Sequence, residues 1–130
     1  MLGYVLVGTN DLSRAAEFYD QVLDLIGGKR SMEMDNFVAW QGAVEHGAGF
    51  GVIKPHDGNP ATVGNGTMVA LPASGPDQVK AIYAKALELG GTDEGPPGLR
   101  FGQFYAAYFR DLDGNKLNAF CMLPEGETAD

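Results

Sequence analysis

The chain has one cysteine, Cys121, two histidines, His46 and His56, and one tryptophan, Trp40. A single thiol forms no intrachain disulfide, so the fold must hold without a covalent staple. No apolar run approaches the roughly 20 residues of a membrane-spanning helix, and Met1-Leu2-Gly3 lacks the basic start of a signal peptide. Lys and Arg number 9 against 17 Asp and Glu, a formal net charge of -8, and the basic residues are nowhere clustered. That balance repels phosphate backbones and anionic lipid surfaces. The expectation is a cytoplasmic protein that partners neither nucleic acid nor membrane. At 130 residues the chain is of single-domain length, enough to bury about 70% of the surface its unfolded form exposes.

What is present is a repeat. Residues 4–54 and 67–122 each read as a strand, a helix and up to three short strands. The helices echo each other: Ala15 to Leu25 is closed by Gly27-Gly28, and Val79 to Leu89 by Gly90-Gly91. Self-similarity at this period indicates a duplicated supersecondary unit.

Within the first unit, Tyr4-Val5-Leu6-Val7 is a short β-prone run broken by Gly8-Thr9-Asn10-Asp11, residues that favour turns and helix caps. In the following helix Ala15, Phe18, Tyr19, Val22, Leu25 and Ile26 keep the three-and-four spacing of a core-facing stripe. Residues 30–34, 36–41 and 49–54 read as strands. Pro55, Gly58 and Pro60 make 55–66 a linker between units. The second unit opens with a strand at 67–71. Ser74-Gly75-Pro76-Asp77 then has the Ser-x-x-Asp spacing of a capping box, and a helix runs to Leu89. Pro96-Pro97-Gly98 leaves little room for a long strand, whereas 104–110 and 116–122 form a hairpin around Asp111 to Gly114. Residues 1–123 are expected as one domain and 124–130 as a flexible acidic tail.

Two motifs give these elements a family likeness. Val5-x-Val7-x-x-Asn10-Asp11-Leu12-x-x-Ala15-x-x-Phe18-Tyr19 and Phe109-x-Asp111-x-Asp113-Gly114-Asn115-x-Leu117 together resemble the vicinal oxygen chelate superfamily of glyoxalase I, fosfomycin and bleomycin resistance proteins, and extradiol dioxygenases. The resemblance implies an α+β fold of two tandem βαβββ modules forming a curved mixed sheet with helices on its outer face. It also implies a homodimer, with each cavity drawn from both chains. Each motif has a structural use: Asp11 can accept from amides at a helix start, Phe18 and Phe109 suit core positions, and Asp113-Gly114 makes a turn.

Metal-dependent members of that superfamily hold a divalent ion with His or Glu on the inward faces of four strands. By the resemblance, the first ligand position falls at Tyr4 and the last at Asn118. Thr67 or a neighbour, and one of Phe50, Gly51, Val52 or Ile53, would fill the others. None is an imidazole or a carboxylate, the groups a divalent metal prefers, so no cofactor is expected. His46 reads as a loop residue. His56 lies in Lys54-Pro55-His56-Asp57-Gly58, either a surface turn or a pocket rim. Cys121 reads as a buried thiol on the helix-packed face.

If Tyr4 and Asn118 face inward, strand alternation puts Leu6, Lys116 and Phe120 beside them, with Val5, Val7, Leu117 and Ala119 under the helices. Thr67, Val69, Phe104 and Tyr108 are expected to join this face. Trp40, Phe50, Lys54 and His56 are candidates from the first unit. Aromatic rings with a few hydrogen-bonding groups are the usual makeup of a small-molecule site. Three functions fit: ligand binding or sequestration without metal, a lyase- or dioxygenase-type enzyme with a displaced metal site or acid and base groups such as Tyr4, Tyr108 and His56, and a structural or protein-binding homodimer.

Overall fold

The structure is a computed structural model, and it describes residues 1–127. Strand β1 (Tyr4–Gly8) leads into helix α1 (Leu12–Asp24), then β2 (Lys29–Glu33), β3 (Phe37–Gln41) and β4 (Gly49–Ile53). The second module repeats the order with β5 (Val69–Pro72), α2 (Pro76–Glu88), β6 (Thr92–Phe101), β7 (Phe104–Arg110) and β8 (Lys116–Met122). Each module holds its own mixed four-stranded sheet, β1-β4-β3-β2 in the first and β5-β8-β7-β6 in the second. In both, the first strand runs parallel to the last, and the remaining pairs are antiparallel. This is the tandem βαβββ arrangement expected from the repeat.

The echo in the two Gly-Gly pairs has a physical basis. Gly27 (φ +80°) and Gly90 (φ +103°) adopt the left-handed conformation that ends each helix. The amide of the following glycine then reaches back five residues, Gly28 to the Leu23 carbonyl and Gly91 to that of Ala86, both at 2.8 Å. Each second glycine lies against its helix: a Cβ at Gly91 would be 2.7 Å from the carbonyl oxygens of both Ala86 and Arg110.

The helix starts differ. Asp11 caps α1, its carboxylate accepting from the Arg14 amide at 3.1 Å. The cap of α2 is Gly75, with no side-chain hydrogen bond and Pro76 in the first turn, so the Ser74 to Asp77 spacing does not act as a capping box. Instead the Gln78 side chain accepts from the Ser74 amide at 2.7 Å and donates to the Leu25 carbonyl at 2.8 Å, linking the modules. Strand β6 is also longer than expected. It passes through Pro96-Pro97 because its pairing with β7 shifts register between Asp93 and Gly95 and again between Gly95 and Gly98. Proline is tolerated in such an edge strand at bulges. Of the tail expected at 124–130, residues 128–130 lie outside the described part.

One core serves both modules. Phe18, Tyr19 and Val22 of α1, Val79 and Ile82 of α2, Val38 and Val52 of the first sheet, and Tyr105, Phe109 and Leu117 of the second are all buried in a single cluster. The two helices touch each other, whereas among the described residues no strand of one sheet contacts a strand of the other. The helix-side faces of the two sheets therefore share a core, and their opposite faces are left open.

A polar clamp fastens the modules where the second motif turns. Asp111 is 5% exposed. Its carboxylate accepts from the Tyr19 hydroxyl at 2.6 Å, the amides of Asp113 and Asn115 at 2.9 Å, and Asn115 Nδ2 at 3.0 Å. Asn115 Nδ2 also reaches the Gly8 carbonyl at 2.9 Å. Asp113 accepts from Thr9 Oγ1 at 2.6 Å and the Asn10 amide at 2.9 Å. The linker is tied down as well, since the Ala61 amide donates to Asn10 Oδ1 at 2.7 Å. Both motifs thus form one knot, and Phe18 and Phe109 fill the core beside it.

Candidate functional site

Strand alternation fixes what each open face presents. On the first sheet Val5, Val7, Val38, Trp40, Phe50 and Val52 point toward the helices, leaving Tyr4, Leu6, Ala39 and Gly51 on the open side. That side carries a groove of about 470 Å³, lined by Tyr4, Leu6, Met32, Phe37 and Ile53 among others. Its depth comes from small residues: a Cβ at Gly51 would stand 2.7 Å from Leu6 Cδ2. Tyr4 is 71% exposed.

Trp40 and Phe50, pocket candidates from the sequence, both border the first-sheet groove, while their rings are largely buried against α1. The Tyr19 ring lies 5.8 Å from Trp40 and 4.6 Å from Phe50, and Trp40 Nε1 donates to Asp20 at 2.9 Å. The same Asp20 carboxylate receives a bidentate pair from Arg30, at 2.9 and 2.7 Å, which holds its pKa below the usual carboxylate range. The indole faces the helix because β3 pairs with β4 in a register that puts Trp40 beside Phe50, both in phase with the core. The two rings also border an apolar groove of about 600 Å³ between the modules, which includes Leu23, Ile26, Val69 and Leu71.

Lys54 and His56 follow the end of β4 on exposed chain, and neither lines the first-sheet groove. Thr67 precedes β5 and is exposed. Val69 packs against the core, contrary to expectation, because the β5–β8 register sets it opposite the core residue Leu117 and leaves Ala70 on the open face, directly opposite Asn118.

The second sheet's open face carries Phe104, Tyr108, Lys116, Asn118 and Phe120, as alternation predicts. Tyr108 stands opposite Asn118, and Ala106 opposite Phe120. Asn118 is 1% exposed, and its Oδ1 is buried without a hydrogen-bond partner among the described residues. Such an orphan acceptor costs about 1–3 kcal/mol unless something donates to it. Phe101, Phe104 and Phe120 form a stacked ladder, with centroids 4.9 and 5.6 Å apart and planes within 8° and 19°. Tyr108 has Arg100 and Lys116 each 5.4 Å from its ring centre. Arg100 and Phe101 escaped the sequence reading because Pro96-Pro97-Gly98 looked like the end of a strand. The available signal was the spacing of Gly95 and Gly98, bare positions over which a long side chain can fold.

Cys121 faces the core, where burial pushes its thiol pKa up, the opposite of a reactive nucleophile. His46 is exposed in the β3–β4 loop.

The four metal positions do not fit a divalent ion. Tyr4 and Asn118 lie on the open faces of different sheets, the β4 residue opposite Tyr4 is Gly49, and the β5 residue opposite Asn118 is Ala70. A phenol and a carboxamide, with Tyr108 the only side-chain oxygen directly opposite either and no imidazole or carboxylate there, are a poor ligand set for such an ion. Among the described residues, no three His, Cys, Asp or Glu side chains gather where a metal could be held. No helix there is long and apolar enough to cross a membrane.

Residues 1–119, which carry this fold and its two open faces, match the model of the Glyoxalase/Bleomycin resistance protein/Dioxygenase superfamily. The chain belongs to that superfamily. It is 37% identical to a glyoxalase/bleomycin resistance protein from Albidiferax ferrireducens T118, over 92% of this chain and 97% of that one, with a TM-score of 0.83. A glyoxalase/bleomycin resistance protein/dioxygenase family enzyme from Burkholderia phytofirmans PsJN shares the fold at 17% identity, covering 93% and 98% of the two chains with a TM-score of 0.74. So does a glyoxalase/bleomycin resistance protein/dioxygenase from Nocardioides at 24% identity, covering 100% and 87%, with a TM-score of 0.66. No curated protein matches the chain.

Proposed function

We propose that the protein binds and sequesters a small molecule without a metal, in a cavity built when two copies of the chain pair. The observation that carries this reading is the placement of Tyr4 on one open sheet face and Tyr108, Asn118 and Phe120 on another, with a shared core between the two sheets. One chain therefore cannot close all of these residues around a single ligand. A second copy can lay its first-sheet groove over the second-sheet face and enclose an aromatic cavity with a few polar groups, the makeup of a ligand site.

Two further features support pairing. Tyr4 and Met32 on the first-sheet side and Phe101 and Met122 at the aromatic end of the second sheet are 71, 52, 69 and 62% exposed. Exposed apolar groups on both open faces suit surfaces that a partner covers. Among the described residues β1, β2, β5 and β6 are edge strands, each with one side of its backbone unpaired within its sheet, and such edges are either covered or protected.

Light scattering should return twice the 13.8 kDa chain mass. Amide-shift mapping against a library of small polar aromatics should perturb β1, β7 and β8. A monomer, or perturbation confined to the 600 Å³ groove, would sink the reading.

A further inference from the structure

The order of groups along the second sheet's open face describes a ligand. Taken in rows across β7 and β8, the face runs from Arg110 and Lys116, through Tyr108 and Asn118, to Ala106 and Phe120, and ends at Phe104 and Met122. One end is cationic and the other aromatic, and the buried acceptor lies between them.

The cationic end is unusual for a chain of net charge -8. Arg110 is neutralised, its Nε 2.6 Å from Glu94. Glu94 also feels Lys116, but its hydrogen bond goes to Arg110. Among the described residues, neither Arg100 nor Lys116 is in an ion pair with a carboxylate; both are held over the Tyr108 ring. Arg100 is also anchored from behind, donating through Nη2 to the Pro96 carbonyl. It can lie there because Gly95 and Gly98 have no side chains: a Cβ at Gly98 would be 2.9 Å from Arg100 Nη1, and one at Gly95 3.2 Å from Nη2. The register shifts around Pro96-Pro97 set those glycines under the guanidinium. Two cations held beside a ring, neither in a direct ion pair among the described residues, form a receptor for an external carboxylate.

The aromatic end offers the flat Phe101–Phe104–Phe120 ladder, on which a further ring stacks favourably. Between the ends, Asn118 Oδ1 lacks a donor. Resting on the ligand-binding reading above, we propose that the ligand is an aromatic carboxylate with a hydroxyl or N–H between ring and carboxylate. Its ring extends the phenylalanine ladder, its donor satisfies Asn118, and its anion sits between Arg100 and Lys116.

The test uses three probes on the full chain: 3-phenyllactate, its uncharged amide, and 3-phenylpropanoate, which lacks the hydroxyl. Affinities come from calorimetry and the binding face from amide-shift mapping. Expected are tighter binding of 3-phenyllactate than of the amide by about tenfold or more, a smaller preference over 3-phenylpropanoate, and about tenfold weakening in each of Arg100→Gln and Lys116→Gln. Lys80→Gln, an exposed change on α2, controls for net charge and should leave binding unchanged. Melting curves establish that each variant is folded. Equal affinity for acid and amide, with shifts still on β7 and β8, overturns the anionic ligand and leaves the binding reading standing. Binding that Lys80→Gln weakens as much as Arg100→Gln also overturns it. No shift on either open face with any of the three probes overturns both.

Discussion

The hydroxyl of Tyr19 on α1 donates to the Asp111 carboxylate at the β7–β8 turn over 2.6 Å, joining the first module's helix to the second module's hairpin through a buried, charge-assisted bond. Tyr19→Phe keeps the ring and its contacts with Trp40 and Phe50 but removes this donor. Hydrogen bonds to charged groups contribute about 1.5–3 kcal/mol, so urea unfolding should show a loss in that range. A loss below about 0.5 kcal/mol would show that the remaining donors to Asp111 suffice.

The same bond predicts a response to alkali. Burial, then the neighbouring Asp111 charge, pushes the Tyr19 pKa well above its ordinary value. A phenol whose folded pKa is raised stabilises the fold fully below its unfolded pKa of about 10, and that contribution is lost as pH rises beyond it. Tyrosinate absorbance at 295 nm should therefore gain its last increment only with unfolding, and Tyr19→Phe should lack that increment. A full titration of all tyrosines before the circular-dichroism transition would contradict this.

Helix termination gives a sharper packing test. Gly91 lies between two backbone carbonyls at a distance no Cβ tolerates, so Gly91→Ala must push away Ala86 of α2 and Arg110 of β7. Overpacking of this kind costs about 1–3 kcal/mol. Gly3→Ala, with open space around it, should change the melting temperature little; equal effects would deny the tight approach.

Open-face and core positions should separate under alanine substitution. Tyr108→Ala and Asn118→Ala remove groups that the proposed ligand uses, and the Asn118 change also deletes an unsatisfied acceptor. Both should weaken binding with little loss of stability. Phe18→Ala truncates a ring in the shared core and should cost about 3–5 kcal/mol. Three equal losses in chemical denaturation would mean that the open face is only core.

Local chemistry and periodicity determined most of the architecture from sequence alone. The paired Gly-Gly stops, the stripe through Phe18, Tyr19 and Val22, the Asp11 cap and the Asp113-Gly114 turn depend on residues near one another in the chain. Strand alternation likewise separated Asn118 and Phe120 from Leu117 and Ala119. Tertiary structure decided the rest. Trp40 and Phe50 went to the core because the register of β3 against β4, which no local signal sets, put them in phase with Tyr19. Arg100 reached Tyr108 because a bulged edge strand carried the chain through two prolines. Above all, the two sheets turned their helix sides to a common core, which parted Tyr4 from Asn118. Burying one large apolar surface between the modules outweighs closing two smaller ones, and that choice depends on contacts distant in sequence.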